Sequence, residues 1–240
     1  MKYPTNACIL TLKHMAEISP QKLYIVIPAF NEGDVIEEVI TDVKSAGYSN
    51  IIVVDDGSTD DTDLKAESAG AIALHHLINR GKGAAMKTGI EAAKIAQAEI
   101  VVTMDGDGQH NPCDIEKMIS LIKDGNDVVL GTRMKNAKGM PFYKFLANHS
   151  GNFFTWLIFG LWVTDSQSGF RAFSRKAINF IETQTARYEY DSEVIWEIKK
   201  HKLKYAEVPI EVRYTKHSMT KKHRQGLKNG LMTLVKMIIS

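Results

Sequence analysis

Three residues in the middle of the chain have types and spacing that suit a hard divalent cation. Asp105, Asp107 and Gln109 alternate along Asp105-Gly106-Asp107-Gly108-Gln109, so in an extended turn all three project to one side. Two carboxylates and an amide oxygen are ligands for Mg²⁺ or Mn²⁺ rather than for zinc. Gly106 and Gly108 let backbone approach a ligand closely. Acidic-glycine turns are also common loops, and a lone D-x-D says little. What strengthens this one is its place straight after the apolar run Val101-Val102-Thr103-Met104. A calcium loop is the rival, since Glu116 stands at its twelfth position. That loop wants glycine where His110 stands and a helix before it, and here a strand precedes and Pro112 follows.

Two other polar stretches follow apolar runs in the same way: Pro28-Ala29-Phe30-Asn31-Glu32 and Asp55-Asp56-Gly57-Ser58-Thr59-Asp60. Arg80-Gly81-Lys82-Gly83 opens a helical stretch. Its N–H groups, Arg80 and Lys82 can approach phosphate, and a basic turn that merely caps a helix is the plain alternative. No G-x-G-x-x-G follows the first strand, and no G-x-x-x-x-G-K-[ST] is present. His75 and His76 diverge from an extended strand, so joint metal binding is not expected.

The elements that must position these residues read as a regular alternation. Strands are expected over 23–27, 50–54, 71–74, 99–104 and 127–130, and helices over 34–46, 60–69, 83–97 and 112–123. The helix over 34–46 carries the stripe Val35, Ile36, Val39, Ile40 and Val43. The strands are continuously apolar, which predicts an α/β fold with a mainly parallel central sheet flanked by helices on both faces. In such sheets ligands sit beyond the carboxyl ends of the strands. Further on, a strand is expected over 170–174, helices over 175–182 and 191–200, and an edge strand over 205–214 around Pro209. Residues 1–21 read as an N-terminal extension, 22–215 as one domain, and 216–240 as a basic tail with an amphipathic helix.

Composition bounds the class. The 240 residues are 44% hydrophobic and 24% charged, which excludes a disordered chain, a collagen-like repeat and a disulfide scaffold. Cys8 and Cys113 are too few for a framework and lack metal-ligand spacing. No signal peptide is expected. The apolar stretch Phe153 to Val163 falls short of the about 18–20 residues that a membrane span needs. The net charge of +2 hides two opposed halves: residues 1–125 hold 11 Lys and Arg against 19 Asp and Glu, residues 126–240 hold 19 against 9. From Val212 to Ser240 there is no acidic residue and seven are basic, a segment able to grip phosphate, meet an anionic membrane surface or close over a site, or simply to lie solvated.

Taken together, the motifs resemble the family-2 glycosyltransferases of the GT-A fold, and within them the dolichyl- or polyprenyl-phosphate sugar synthases. The resemblance rests on Ile27 to Glu32, Val54 to Asp60, Asn79-Arg80-Gly81-Lys82-Gly83, Asp105 to His110, Gly131-Thr132-Arg133, and Asp165-Ser166-Gln167-Ser168-Gly169-Phe170-Arg171, in order, across about residues 22–215. It implies that Pro28, Phe30 and Glu32 hold the nucleotide base and ribose, and that Asp56 contacts the base. It implies that Lys82 and Asp105 bind the nucleotide sugar, and that Asp105, Asp107 and Gln109 hold Mg²⁺ or Mn²⁺ with the diphosphate. Arg133 and Arg171 match arginines near a donor or acceptor phosphate, and Tyr188 to Glu193, with Asp191, matches an acidic stretch near the reacting sugar.

The expected activity is therefore an inverting, metal-dependent transfer of a hexose from a nucleoside-diphosphate sugar to a polyprenyl phosphate. Asp107, Arg133, Arg171 and Asp191 are the expected catalytic group. A lipid phosphate is already ionised and wants guanidinium or ammonium partners. A glycan hydroxyl, the alternative acceptor, wants a carboxylate base such as Asp191 or Glu189. A nucleotide-sugar-binding module without turnover is the third reading. Many polyprenyl-phosphate sugar synthases carry two C-terminal membrane helices. Here only Leu231 to Ser240 remains, so the expectation is a cytoplasmic protein with peripheral membrane contact and no nucleic-acid partner.

Overall fold

Continuous apolar runs make the sheet. Strands β1 (Leu23–Ala29), β2 (Ile51–Asp55), β4 (Ile100–Thr103) and β5 (Val128–Thr132) are buried along their lengths except at Tyr24. The edge strand β3 (Ile72–His75), with β6 (Arg171–Ser174) and β7 (Tyr205–Pro209), completes a seven-stranded sheet in the order β3-β2-β1-β4-β6-β5-β7. The computed structural model describes residues 22–133, 152, 156, 157, 160–183, 185 and 189–213. The expectations for residues 1–21, for 153–155, 158 and 159 within the apolar stretch, for Tyr188 and for the tail 216–240 lie outside the described residues.

Alternation along the strands divides the core. Ile25, Ile27, Val53 and Val102 face helices α1 (Ile36–Ser45), α2 (Thr62–Ser68) and α4 (Ile115–Lys123). Val26, Ile52, Val54 and Val101 face α3 (Lys82–Ile95), α5 (Arg175–Phe180) and α6 (Glu189–Lys200). Each such side chain contributes about 1.5–3 kcal/mol on full burial. On α1 the stripe Ile36, Val39, Ile40 and Val43 is the buried face. On α3 a Cβ at Gly89 would clash with Val26 Cγ1, so this glycine lets the helix lie close on β1. Among the described residues no helix is long and apolar enough to cross a membrane.

The sheet is mainly parallel, as expected, with one exception. Strand β6 runs antiparallel to both of its neighbours, β4 and β5. Two strand ends also differ from expectation. Strand β1 continues through Pro28, because Ile25 and Ala29 turn their backbone groups to the β2 side while Val26 faces β4. Pro28 shares the Val26 side, and the β4 pairing has ended at Val26↔Thr103. The missing N–H of Pro28 therefore leaves no ladder bond unmade. Strand β7 stops at Pro209 instead of running to residue 214. Beyond it the chain leaves the sheet, and Val212 bridges His110.

Candidate active site

The loops after β1, β2 and β4 meet at the carboxyl end of the sheet. The first is held by the second. The N–H of Asn31 donates to Ser58 Oγ at 2.8 Å, that of Glu32 to Thr62 Oγ1 at 2.9 Å, and that of Gly33 to Asp60 Oδ2 at 3.0 Å. Asn31 sits in the left-handed region at φ 53° and returns a bond, its Oδ1 accepting from the N–H of Thr59 at 2.9 Å. Asparagine tolerates that conformation better than most residues. Pro28, Phe30 and Glu32 thus line one braced rim, with Glu32 largely buried.

After β2 the two adjacent aspartates are closed off by protein donors. Asp55, buried, accepts from the N–H of Ser58, from the Ser58 hydroxyl, and pairs with His75 Nδ1 at 2.7 Å. Asp56, also buried, pairs with His76 Nδ1 at 2.7 Å and accepts from the N–H groups of Arg80 at 2.9 Å and Gly81 at 2.6 Å. His76 Nε2 reaches Thr88 Oγ1 on α3 at 2.9 Å. The Arg80 and Gly81 N–H groups, able by sequence to approach phosphate or merely to cap the helix, are bound to Asp56. The two histidines diverge as expected, one to each aspartate. Their pairing was missed, although parallel register puts Asp55 beside His75.

After β4 the acidic pair meets a cation. Lys82 Nζ, from the first turn of α3, lies 2.7 Å from Asp105 Oδ1 and 3.7 Å from Asp191 Oδ2. Burial works against the Lys82 charge, but Asp105 and Asp191 outweigh it and hold the ammonium far above the usual lysine range. Burial likewise works against the Asp105 charge, and Lys82 with His110 holds that carboxyl far below the usual carboxylate range. Asp107 goes the other way: burial, then the Asp105 charge, push its carboxyl up. Its Oδ1 accepts from the N–H of Gln109 at 3.0 Å, and among the described residues no lysine or arginine lies within ion-pair distance of it. The donor set therefore fits a divalent cation: hard oxygens from Asp105, Asp107 and Gln109, with a carboxylate whose charge is not compensated. His110 braces this loop. Its Nδ1 accepts the Asp105 N–H at 3.1 Å, its ring stacks on Phe170 at 4.8 Å, and burial lowers its basicity.

The two arginines differ in placement. Arg133, at the end of β5, forms a fork with buried Asp165: Nε to Oδ2 at 2.7 Å and Nη2 to Oδ1 at 2.7 Å, with its N–H on Oδ2 at 3.1 Å. Its Nη1 lies outside the fork. Asp165 was overlooked as a partner, although it opens the quoted Asp165–Arg171 motif. Arg171 stands behind the site and not at its surface, being 1% exposed. Its Nε donates to the Ser168 carbonyl at 2.9 Å, and its Nη2 donates to the carbonyls of Ser166 at 2.8 Å and Asp191 at 3.0 Å. Nη2 also lies 3.3 Å from Asp191 Oδ1, so Asp191 is held between Arg171 and Lys82. Arg171 Nη1, Ser168 Oγ, Tyr190 OH and Asp191 Oδ1 have no hydrogen-bond partner among the described residues. A separate group, Asp55, Asp63 and His75, brings ligand atoms within 4.8 Å of one another. It contains neither Asp105 nor Asp107, and the Asp55 oxygens are already filled by Ser58 and His75.

The chain is similar to known proteins in sequence and in fold. The sequence profile described as glycosyl transferase family 2 matches residues 24–181. The chain is 41% identical over 222 residues to the UDP-N-acetylglucosamine–dolichyl-phosphate N-acetylglucosaminyltransferase of Methanococcus voltae, covering 83% of this chain and 88% of that one. It is 44% identical over 229 residues to an uncharacterized protein of Methanocaldococcus jannaschii, covering 93% of each. Among solved structures, Mycobacterium tuberculosis glucosyl-3-phosphoglycerate synthase in complex with Mn²⁺, UDP and glucosyl-3-phosphoglycerate superposes with a TM-score of 0.63. The superposition covers 99% of this chain and 82% of that one at 19% identity, a likeness of fold.

Proposed function

Since the chain belongs to glycosyl transferase family 2 and is a glycosyltransferase of the GT-A fold, we propose that it moves N-acetylglucosamine from UDP-N-acetylglucosamine to a polyprenyl phosphate of the dolichyl type. The expected hexose is narrowed here to the sugar, and the nucleotide to the base, named for the Methanococcus voltae relative. The expected binding module without turnover does not fit family membership. The observation that carries the reaction class is the Lys82–Asp105 ion pair beside Asp107 at the carboxyl end of the sheet.

In this reading Pro28, Phe30 and Glu32, with the loop locked by Asp56, take the base and ribose. Asp105, Asp107 and Gln109 hold Mg²⁺ or Mn²⁺, which when bound supplies positive charge against the leaving diphosphate. Lys82 adds its ammonium to the same group while keeping Asp105 ionised. Arg133, held flat by Asp165, offers its outer edge to the acceptor phosphate. Arg171 acts from behind, fixing Ser166, Ser168 and Asp191 around the sugar. A phosphate oxygen of the acceptor attacks C1. The bond from C1 to the UDP oxygen breaks, its electron pair leaves with UDP, and the anomeric centre inverts. No proton has to move, because the acceptor phosphate is already ionised.

A lipid-linked acceptor requires peripheral contact with a membrane, on the cytoplasmic face where nucleotide sugars are available. The basic C-terminal segment starts beside the site, the Arg213 N–H donating to the Gln109 carbonyl at 2.8 Å, and is the proposed contact. The test is transfer from radiolabelled UDP-N-acetylglucosamine, with Mn²⁺, to dolichyl phosphate or to a soluble glycan. Label extracted with the lipid is expected. Label found only in the glycan would overturn the acceptor, and turnover of other nucleotide sugars but not this one would overturn the donor.

A further inference from the structure

Glycines at this site are glycines for different reasons. Gly57 has φ +73°, and a Cβ there would stand 2.6 Å from the carbonyl carbon of Ile78. At Gly131 a Cβ would stand 2.8 Å from the carbonyl oxygen of Phe170. Both obstacles are backbone, so these two positions serve the fold. Gly169 is unlike them. It is not among the left-handed glycines, so no positive φ reserves the position for glycine. The three atoms nearest to its Cβ would be Lys82 Nζ at 2.6 Å, Asp105 Oδ1 at 2.7 Å and Asp105 Oδ2 at 3.1 Å, all at the ends of flexible side chains.

The backbone at 169 has little room to give way. The Gly169 carbonyl accepts from Thr103 Oγ1 at 2.8 Å, the preceding carbonyl of Ser168 is held by Arg171, and the following carbonyl of Phe170 accepts from the Gly131 N–H at 2.9 Å. A side chain introduced here is therefore accommodated by moving Lys82 and Asp105. Those two atoms, now 2.7 Å apart, cannot both stay. The other carboxylate within reach of the ammonium is Asp191, at 3.7 Å.

We propose that Gly169 is a positioning residue of the donor site: its missing side chain is the space in which Lys82 reaches Asp105, so that ammonium and carboxylate face a metal-bound diphosphate together. This rests on the reading of the site as one for a nucleotide sugar. The position is one where substitution leaves the fold intact and disturbs only the part of the site that handles diphosphate and cation.

The test compares Gly169→Ala with Gly131→Ala as a fold control, each as the whole chain. Melting without ligand is measured first, then calorimetric binding of UDP with Mn²⁺ and of UMP without metal. Gly169→Ala is expected to melt within about 2 °C of the wild type. Its Mn²⁺-dependent UDP binding is expected to weaken by about tenfold or more, with metal-free UMP binding unchanged. Gly131→Ala is expected to lose melting temperature. Wild-type affinity for UDP with Mn²⁺ in Gly169→Ala would overturn the proposal alone. So would a loss of melting temperature matching that of Gly131→Ala. A wild-type protein that does not bind UDP with Mn²⁺ would overturn the donor reading and this proposal with it.

Discussion

The loops after β2 and β4 each carry a pair of aspartates beside glycine, and the two pairs are partnered in opposite ways. Asp55 and Asp56 are saturated by the protein itself: two histidines, a serine hydroxyl and three backbone N–H groups fill their oxygens. Asp105 and Asp107 are not. Asp105 faces Lys82 and Asp107 accepts only the N–H of Gln109 among the described residues, while burial and its neighbour push its carboxyl up. A carboxylate whose acceptor capacity is filled shapes a loop; one held short of compensation is poised for an external cation. Residue type is the same in both loops, and the supply of donors around it decides the role.

Asp107→Asn breaks the open pair and carries the largest expected effect, a fall in turnover of about 10³-fold, since several kcal/mol of charge stabilisation is lost. Its metal-free melting temperature should not fall, because burial and the Asp105 charge already disfavour the Asp107 carboxylate. Turnover near the wild-type value would remove the contrast between the loops. Asp56→Ala breaks the closed pair. It leaves His76 and the N–H groups of Arg80 and Gly81 without their acceptor, at a cost of about 2–3 kcal/mol in urea unfolding. A cost under about 0.5 kcal/mol would show that water replaces Asp56 and that the loop is not locked by it.

The smallest effect sharpens the rim between the loops. Burial works to raise the exposed Asp60 carboxyl, but the Thr62 hydroxyl and the N–H groups of Gly33 and Thr62 outweigh it and hold it below its ordinary value of 3.8. A lowered carboxyl stabilises the fold above that value and loses its contribution as the pH falls through the folded one. Asp60→Asn should therefore cost at most about a few tenths of a kcal/mol near neutral pH, given solvent screening. Wild-type and variant unfolding curves should converge as the pH is lowered below about 4. A gap that widens in acid would reverse the assignment.

Much of this was legible in the chain because the information was local. Runs such as Ile51 to Val54 have no polar face, so they had to be covered on both sides, and the Ile36–Val43 stripe marks a helix on one of them. The D-x-D loop announced itself by following such a run. What stayed hidden was non-local. The direction of β6 depends on the route taken between residues 133 and 170, which no spacing reveals. Arg133 follows Gly131-Thr132 and Arg171 follows Gly169-Phe170, and only burial separates one that props up Asp191 from one at the rim. His76 and Asp56 belong together only once β2 and β3 are placed in parallel register. Gly169 reads as an ordinary loop glycine until the Lys82–Asp105 pair is set beside it.

The most direct test of the open pair is calorimetric titration of UDP into wild-type and Asp107→Asn protein, with and without Mn²⁺. The account predicts that Mn²⁺ strengthens UDP binding to the wild type. It predicts that Asp107→Asn abolishes that strengthening while metal-free UDP binds both proteins alike. A variant that still binds UDP more tightly with Mn²⁺, to the wild-type extent, would contradict it.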